Sequence, residues 1–287
     1  MKFGKGLKQA AVLGCGPAGL FATHGLLEAG WGVSIFSKKR KSHLYGAQYL
    51  HAPIPDLTPE RETPHAIRYQ LVGDADGYRE KVYGAMPVKV SPEALNMKHP
   101  GWDLRAAYDA AWDRYGDSVV HEEQIDSSYL GVSVWNGGPP SLSASRLDTS
   151  RFDLVVSTIP LPYLCYRSGD CQFHSAEVWA LGDAPDRGQR VAYRPEPYTV
   201  ECNGSRDTGW YRAANVFDHV TMEWPGRSKP PLPGVASVTK PIYTSCVCFR
   251  GPDSRRAQGF RFVPLGRYGT WTKSVLTHHA YTQAVEL

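Results

Sequence analysis

The stretch QAAVLGCGPAGLFATHGLLEAGWGVSIFS, residues 9–37, decides the fold. Gln9 to Cys15 is an apolar run bounded by glycine, which predicts a buried strand. Pro17 suits the first turn of a helix, which the spacing of Leu20, Phe21, Leu26 and Leu27 carries to about Ala29; Gly30 stops it. GVSIFS, residues 32–37, reads as a second strand. A strand, tight turn, helix and strand within so short a span is a βαβ unit, whose two strands run parallel.

The turn of this unit carries Gly14, Gly16 and Gly19, the G-x-G-x-x-G spacing, after a strand and before a helix. The first glycine permits the tight turn, the second lets a pyrophosphate approach the backbone, and the third allows close helix–strand packing. Pro17 and Ala18 complete a helix N-terminus that offers N–H groups and a positive dipole end to phosphates. The segment is therefore read as a dinucleotide site. That pattern also expects an acidic residue about 20 positions on, to hold a ribose hydroxyl. Ser37 stands there, followed by Lys38, Lys39, Arg40 and Lys41. Two readings stay open. Either these residues bind the 2′-phosphate of NADP, or FAD is bound, Ser37 or backbone holds its ribose, and Lys38 and its neighbours form a solvated rim.

Outward from this unit, residues 46–64 read as a Pro-rich loop. Residues 67–89 alternate in places and suggest antiparallel strands. Residues 102–115 have helical spacing, ended by Gly116, and strands are expected at 118–125 and 152–159. The continuously apolar 152–159 suits a parallel strand covered on both faces. Short strands are expected between 165 and 225, a Pro-rich connector at 225–241 and a terminal helix at 274–286. The fold class is α/β: a Rossmann-like nucleotide-binding domain from residues 1–60, 116–164 and 255–287, with a reduced, partly antiparallel substrate-binding region from 61–115 and 165–254.

With 32 Lys and Arg against 28 Asp and Glu, the charge tolerates phosphates but does not diagnose a nucleic-acid binder. No apolar stretch reaches the length of a membrane span, and the N-terminus lacks the pattern of a signal peptide. A cytoplasmic protein that does not bind membranes is expected, with its six cysteines as reduced thiols. None forms a C-x-x-C pair. Zinc binding by Cys165, Cys171 and His174 is conceivable, but no metal site is assigned.

Three further segments resemble the UDP-galactopyranose mutase and flavin amine oxidase group. FDLVVSTIPLPYL, residues 152–164, resembles the late strand that passes beside the cofactor there, and it nominates Thr158. PLGRYGTW, residues 264–271, looks like the stretch that closes such chains against the flavin, nominating Gly266, Arg267, Gly269, Thr270 and Trp271. GAQYLH, residues 46–51, occupies the place of a loop that runs past pyrophosphate and ring, nominating Ala47 and Gln48. The resemblance implies FAD as cofactor and hydride transfer from a small substrate, plausibly an amine. VWALGDA, residues 178–184, resembles a different flavin-closing motif, with Asp183 as ligand; the C-terminal segment is preferred because a helix follows it.

The same resemblance places Tyr211 and Arg212 near a substrate phosphate, which Arg can grip bidentately. His51 and His278, with His279 beside it, are candidate proton acceptors or substrate contacts, each with packing or solvent exposure as the alternative. Tyr243 could line the same pocket. A weaker likeness joins the chain to phage-type flavoproteins that act on an amino-acid-modified nucleobase in DNA hypermodification, so a nucleic-acid substrate stays open. The rivals are an NADP-dependent reductase using Ser37 to Lys41 and a non-catalytic dinucleotide-binding module.

Overall fold

The computed structural model describes residues 7–46, 48–59, 63–122, 125–130, 147–165, 169–181, 193–227, 229–246, 248 and 261–287. The chain divides into two compact units. One holds Met1–Lys41, Ala106–His174 and Pro241–Leu287, the other Ser42–Arg105 and Ser175–Lys240.

The first unit is built on a five-stranded sheet of β1 (Gln9–Leu13), β2 (Gly32–Ser37), β5 (Val119–His121), β6 (Leu154–Ser157) and β12 (Arg261–Pro264). Its order is β12-β6-β1-β2-β5, and every pairing is parallel. Alternate residues of the central strands go to opposite faces. Ala10, Val12, Leu154 and Val156 pack with Ala22 and Leu26 of α1 (Pro17–Glu28) and with Ala280 and Ala284 of the terminal helix His279–Val285. Ala11, Leu13 and Val155 enter a second cluster with Leu161, Leu164, Phe262 and Trp271. Covering both faces is what allows these strands to be apolar at every position. Gly25 sets the approach of α1 to the terminal helix, since a Cβ there would lie 2.6 Å from the Tyr281 carbonyl oxygen.

The second unit carries most of a seven-stranded mixed sheet. Its strands are β3 (His65–Val72), β4 (Lys98–Gly101), β7 (Phe173–Leu181), β8 (Thr199–Asn203), β9 (Arg212–Val216), β10 (His219–Pro225) and β11 (Val235–Thr244). The order is β11-β7-β10-β9-β8-β3-β4. The pair β3–β8 is parallel, whereas β3–β4, β8–β9, β9–β10 and β7–β10 are antiparallel. The expected partly antiparallel region is thus present.

Three local expectations are corrected. Residues 75–83, read as strand-forming, are α2 (Ala75–Tyr83), because the Asp74 carboxylate caps the helix by accepting the Gly77 N–H at 2.6 Å. The connector expected at 225–241 ends in β11, whose β-branched Val235, Val238, Thr239 and Ile242 suit a strand. The terminal helix is also shorter than 274–286, beginning at His279. The units divide at Lys41, Ala106, His174 and Pro241, where 60, 116, 164 and 255 were expected. Helix α3 (Leu104–Tyr115) accounts for one difference: its Tyr108 and Trp112 hold Arg40 of the first unit. Among the described residues, no helix is long and apolar enough to cross a membrane.

Candidate functional site

From β1 the chain builds the sheet to one side through β2 and β5, then returns to build the other side from β6 and β12. That reversal is the topological switch point, and in open parallel sheets ligands bind beyond the strand carboxyl ends there. Gly14 follows the end of β1, and Thr158 follows the end of β6. Both the Thr158 N–H and its hydroxyl donate to the Leu13 carbonyl, at 3.0 and 3.1 Å. The late strand named from sequence and the Gly-rich turn therefore meet.

Each glycine of the turn has a distinct physical task. Gly14 sits at φ +103°, and a Cβ there would lie 2.7 Å from the Thr158 hydroxyl. At Gly19 a Cβ would lie 1.9 Å from the Gly14 carbonyl oxygen, so only glycine lets α1 pack against the turn. Gly16 differs: a Cβ there would meet nothing within 4 Å, so its Cα faces open space. The Gly14 N–H donates to Phe36 O at 2.8 Å, Cys15 N–H to the Ser37 hydroxyl at 3.1 Å, and the Gly19 and Leu20 N–H groups to Gly16 O. Among the described residues, the N–H groups of Gly16 and Ala18 find no acceptor. Two backbone donors at the positive end of a twelve-residue helix, beside a glycine open to solvent, make a cradle for an anion.

The C-terminal segment arrives at the same place. Leu265 N–H donates to Ser157 O at 2.8 Å. A Cβ on Gly266, at φ +69°, would lie 2.8 Å from Ala18 Cβ, and one on Gly269 would lie 2.4 Å from Ser157 O. These two glycines let residues 266–270, a short helix, press against the start of α1 and the end of β6. Their neighbours turn elsewhere. Arg267 Nε donates to Val275 O at 3.3 Å and the Thr270 hydroxyl to Gly266 O at 2.8 Å. Trp271 is buried, gives its indole N–H to His174 O at 3.1 Å and packs edge-on against Phe173 and Tyr268.

Beyond β2, Ser37 is buried and its hydroxyl is the acceptor that fixes Cys15. Arg40 forms an ion pair with Asp109 and lies over the rings of Tyr108 and Trp112. Lys38, Lys39 and Lys41 are exposed. Tyr108 is a site residue that sequence reading missed. Its hydroxyl donates to Cys15 O at 2.9 Å and accepts from Lys41 N–H at 3.2 Å, tying the Gly-rich turn to the segment after β2. Burial, above all, pushes its phenol up to about 12, so it acts as a fixed neutral hydrogen-bonding group. Beforehand only the helix that carries it, read over residues 102–115, was visible.

The catalytic candidates are divided between the two units. His278 is buried beside His279, and burial followed by that neighbour lowers its pKa to about 4, leaving a neutral imidazole at pH 7. In the second unit, His51 stacks on Tyr49 at 4.4 Å and meets His99 edge-on. Gln48 donates to Tyr45 O. The Arg212 fork assigned to a substrate phosphate is filled by Glu223, with Nε and Nη2 donating at 2.7 and 2.8 Å. Lys240 Nζ donates to the same carboxylate at 2.6 Å and to the buried Tyr211 hydroxyl at 3.3 Å. Burial works to raise Glu223, but Arg212 and Lys240 outweigh it and hold its pKa at about 2. Tyr243 is exposed and stacks on His174. Ala47 and Asp183 lie outside the described residues.

No family model matches the chain, and no curated protein does. Among solved structures, one variant of 2-methyl-3-hydroxypyridine-5-carboxylic acid oxygenase aligns at a TM-score of 0.48 and 12% identity, over 97% of this chain and 81% of its own. A variant of Klebsiella pneumoniae HpxO complexed with FAD aligns at 0.46 and 13%, over 97% and 79%. BrvH, a flavin-dependent halogenase from Brevundimonas sp. BAL3, aligns at 0.46 and 10%, over 98% and 71%.

Proposed function

We propose that this chain is a flavin-dependent oxidoreductase that holds FAD at the Gly14–Gly19 turn and oxidises a small amine. The observation that carries the cofactor reading is the convergence at the switch point. Gly16 is open to solvent, the Gly16 and Ala18 N–H groups have no acceptor among the described residues, and Thr158, Gly266 and Gly269 close in from two other segments. Gly16 and Ala18 would bind the pyrophosphate, with the α1 dipole favouring its charge.

Two placements favour FAD over NADP. The Ser37 hydroxyl already serves Cys15, and Arg40 is held by Asp109, Tyr108 and Trp112. Those are two of the five groups an NADP reading would direct at a 2′-phosphate; Lys38, Lys39 and Lys41 are exposed. Bound here, FAD would supply the two-electron acceptor that no side chain provides. The amine rests on the sequence resemblance of residues 152–164 and 264–271. Its test is anaerobic mixing of the purified protein with a panel of primary and secondary amines while the blue flavin absorption is followed. Bleaching by an amine supports the reading. A yellow protein bleached by NADPH alone contradicts the amine, and a protein that takes up no flavin contradicts the whole proposal.

A further inference from the structure

Four of the six cysteines, Cys165, Cys171, Cys246 and Cys248, meet inside the first unit. All are buried, and all four Sγ atoms lie within 4.8 Å of one another. Three of the separations are 3.5 Å for Cys165–Cys248, 3.6 Å for Cys171–Cys248 and 3.7 Å for Cys165–Cys246. None of these residues is in a disulfide. A zinc–sulfur distance of about 2.3 Å in a regular tetrahedron puts sulfurs about 3.8 Å apart, close to these three separations. An iron–sulfur cluster spreads its thiolates around several irons and needs a wider cage than this.

We infer that Cys165, Cys171, Cys246 and Cys248 form a structural zinc site. Cysteines packed simply as small hydrophobes have no reason to bring four sulfurs to one point from two segments, with Cys171 and Cys248 77 residues apart. The backbone around them is built to hold that arrangement. Gln172 N–H donates to the Ser245 hydroxyl at 3.0 Å, and Ser245 N–H returns to Gln172 O at 3.1 Å. The Thr244 hydroxyl donates to Gln172 O at 2.7 Å and accepts from Cys246 N–H at 3.0 Å. Cys165 is placed by its N–H bond to Leu161 O, at the end of the short helix Leu161–Leu164 that follows β6.

Four thiolates fill a tetrahedral ion and leave no open position, so the site is structural rather than catalytic. Binding Zn²⁺ would deprotonate the four thiols, release four protons and exchange four weak donors for four metal–sulfur bonds. The result staples the segment after β6 to the segment before β12, two strands that pair with each other beside β1. The inference does not depend on the flavin reading.

The test uses the full chain, freed of any histidine tag and purified with reductant and without chelator from zinc-supplemented cells. Elemental analysis should find about one zinc per chain, and X-ray absorption at the zinc edge should show four sulfurs at about 2.3 Å. Cys171→Ser and Cys248→Ser should each lose at least nine-tenths of the zinc, whereas Cys202→Ala, in the other unit, keeps it. Because the first two variants can fail to fold, the wild-type absorption spectrum decides. Nitrogen or oxygen ligands, iron in place of zinc, a metal-free protein with six titratable thiols, or a disulfide within the set would each overturn the assignment.

Discussion

Gly16 and Gly19 lie three residues apart and should fail differently. A methyl group at Gly16 meets no protein atom, and its extended backbone, φ −69° and ψ 175°, suits any residue. Gly16→Ala should therefore cost under about 1 kcal/mol, the scale of an N-cap change, while cofactor content falls at least tenfold because the methyl occupies the anion's place. Gly19→Ala drives a carbon into the Gly14 carbonyl and should cost about 1–3 kcal/mol or more through overpacking. Thermal melts of the cofactor-free proteins, set beside cofactor content, separate the two. Equal melting losses for both variants would contradict the division of labour.

At the scale of elements, the ladder of β9 and β10 sets Arg212 directly opposite Glu223, and Lys240 completes the pairing. The Glu223 carboxyl titrates at about 2 in the folded chain against 4.5 for an unperturbed group. A depressed folded value means that its contribution is complete above about pH 4.5 and is lost as the pH falls through about 2. Glu223→Gln, which leaves two cations beside a buried amide, should cost about 3–5 kcal/mol at neutral pH. The gap from wild type should narrow between pH 4.5 and 2 in urea titrations. A gap that does not change with pH would contradict the assignment.

The elements also show what the sequence could and could not disclose. Residues 9–37 were legible because strand, turn and helix periods change within one short window and each glycine has a local steric reason. Thr158 and the 266–271 segment were legible only through resemblance. Their meeting with Gly14 and Ala18 depends on strand order, which a linear pattern does not carry. Residues 75–83 misled because EKVYG alternates, and the Asp74 cap that decides the helix is one side chain. Arg212 kept its residue type but not its expected role, since Glu223 becomes its partner only through the β9–β10 register. The sequence suggested Cys165 and Cys171 with His174 but not Cys246 and Cys248, because C-x5-C and C-x-C are not the usual two-to-four-residue spacings of zinc ligands.

For the whole molecule, one unit carries a parallel sheet with its switch point, and the other a mixed sheet braced by buried ionic and aromatic groups. Every element of the proposed cofactor site described here belongs to the first unit: the turn, the end of β6, the 266–270 helix and Tyr108. The cysteine cluster lies in the same unit, so cofactor and metal occupy one framework. The central claim is that this framework holds FAD. The most direct measurement is to denature the freshly purified protein and identify the released small molecule by chromatography and mass. The account predicts FAD, close to one per chain in wild type and sharply reduced in Gly16→Ala. Release of NADP, or of no dinucleotide even after incubation with FAD, would contradict it.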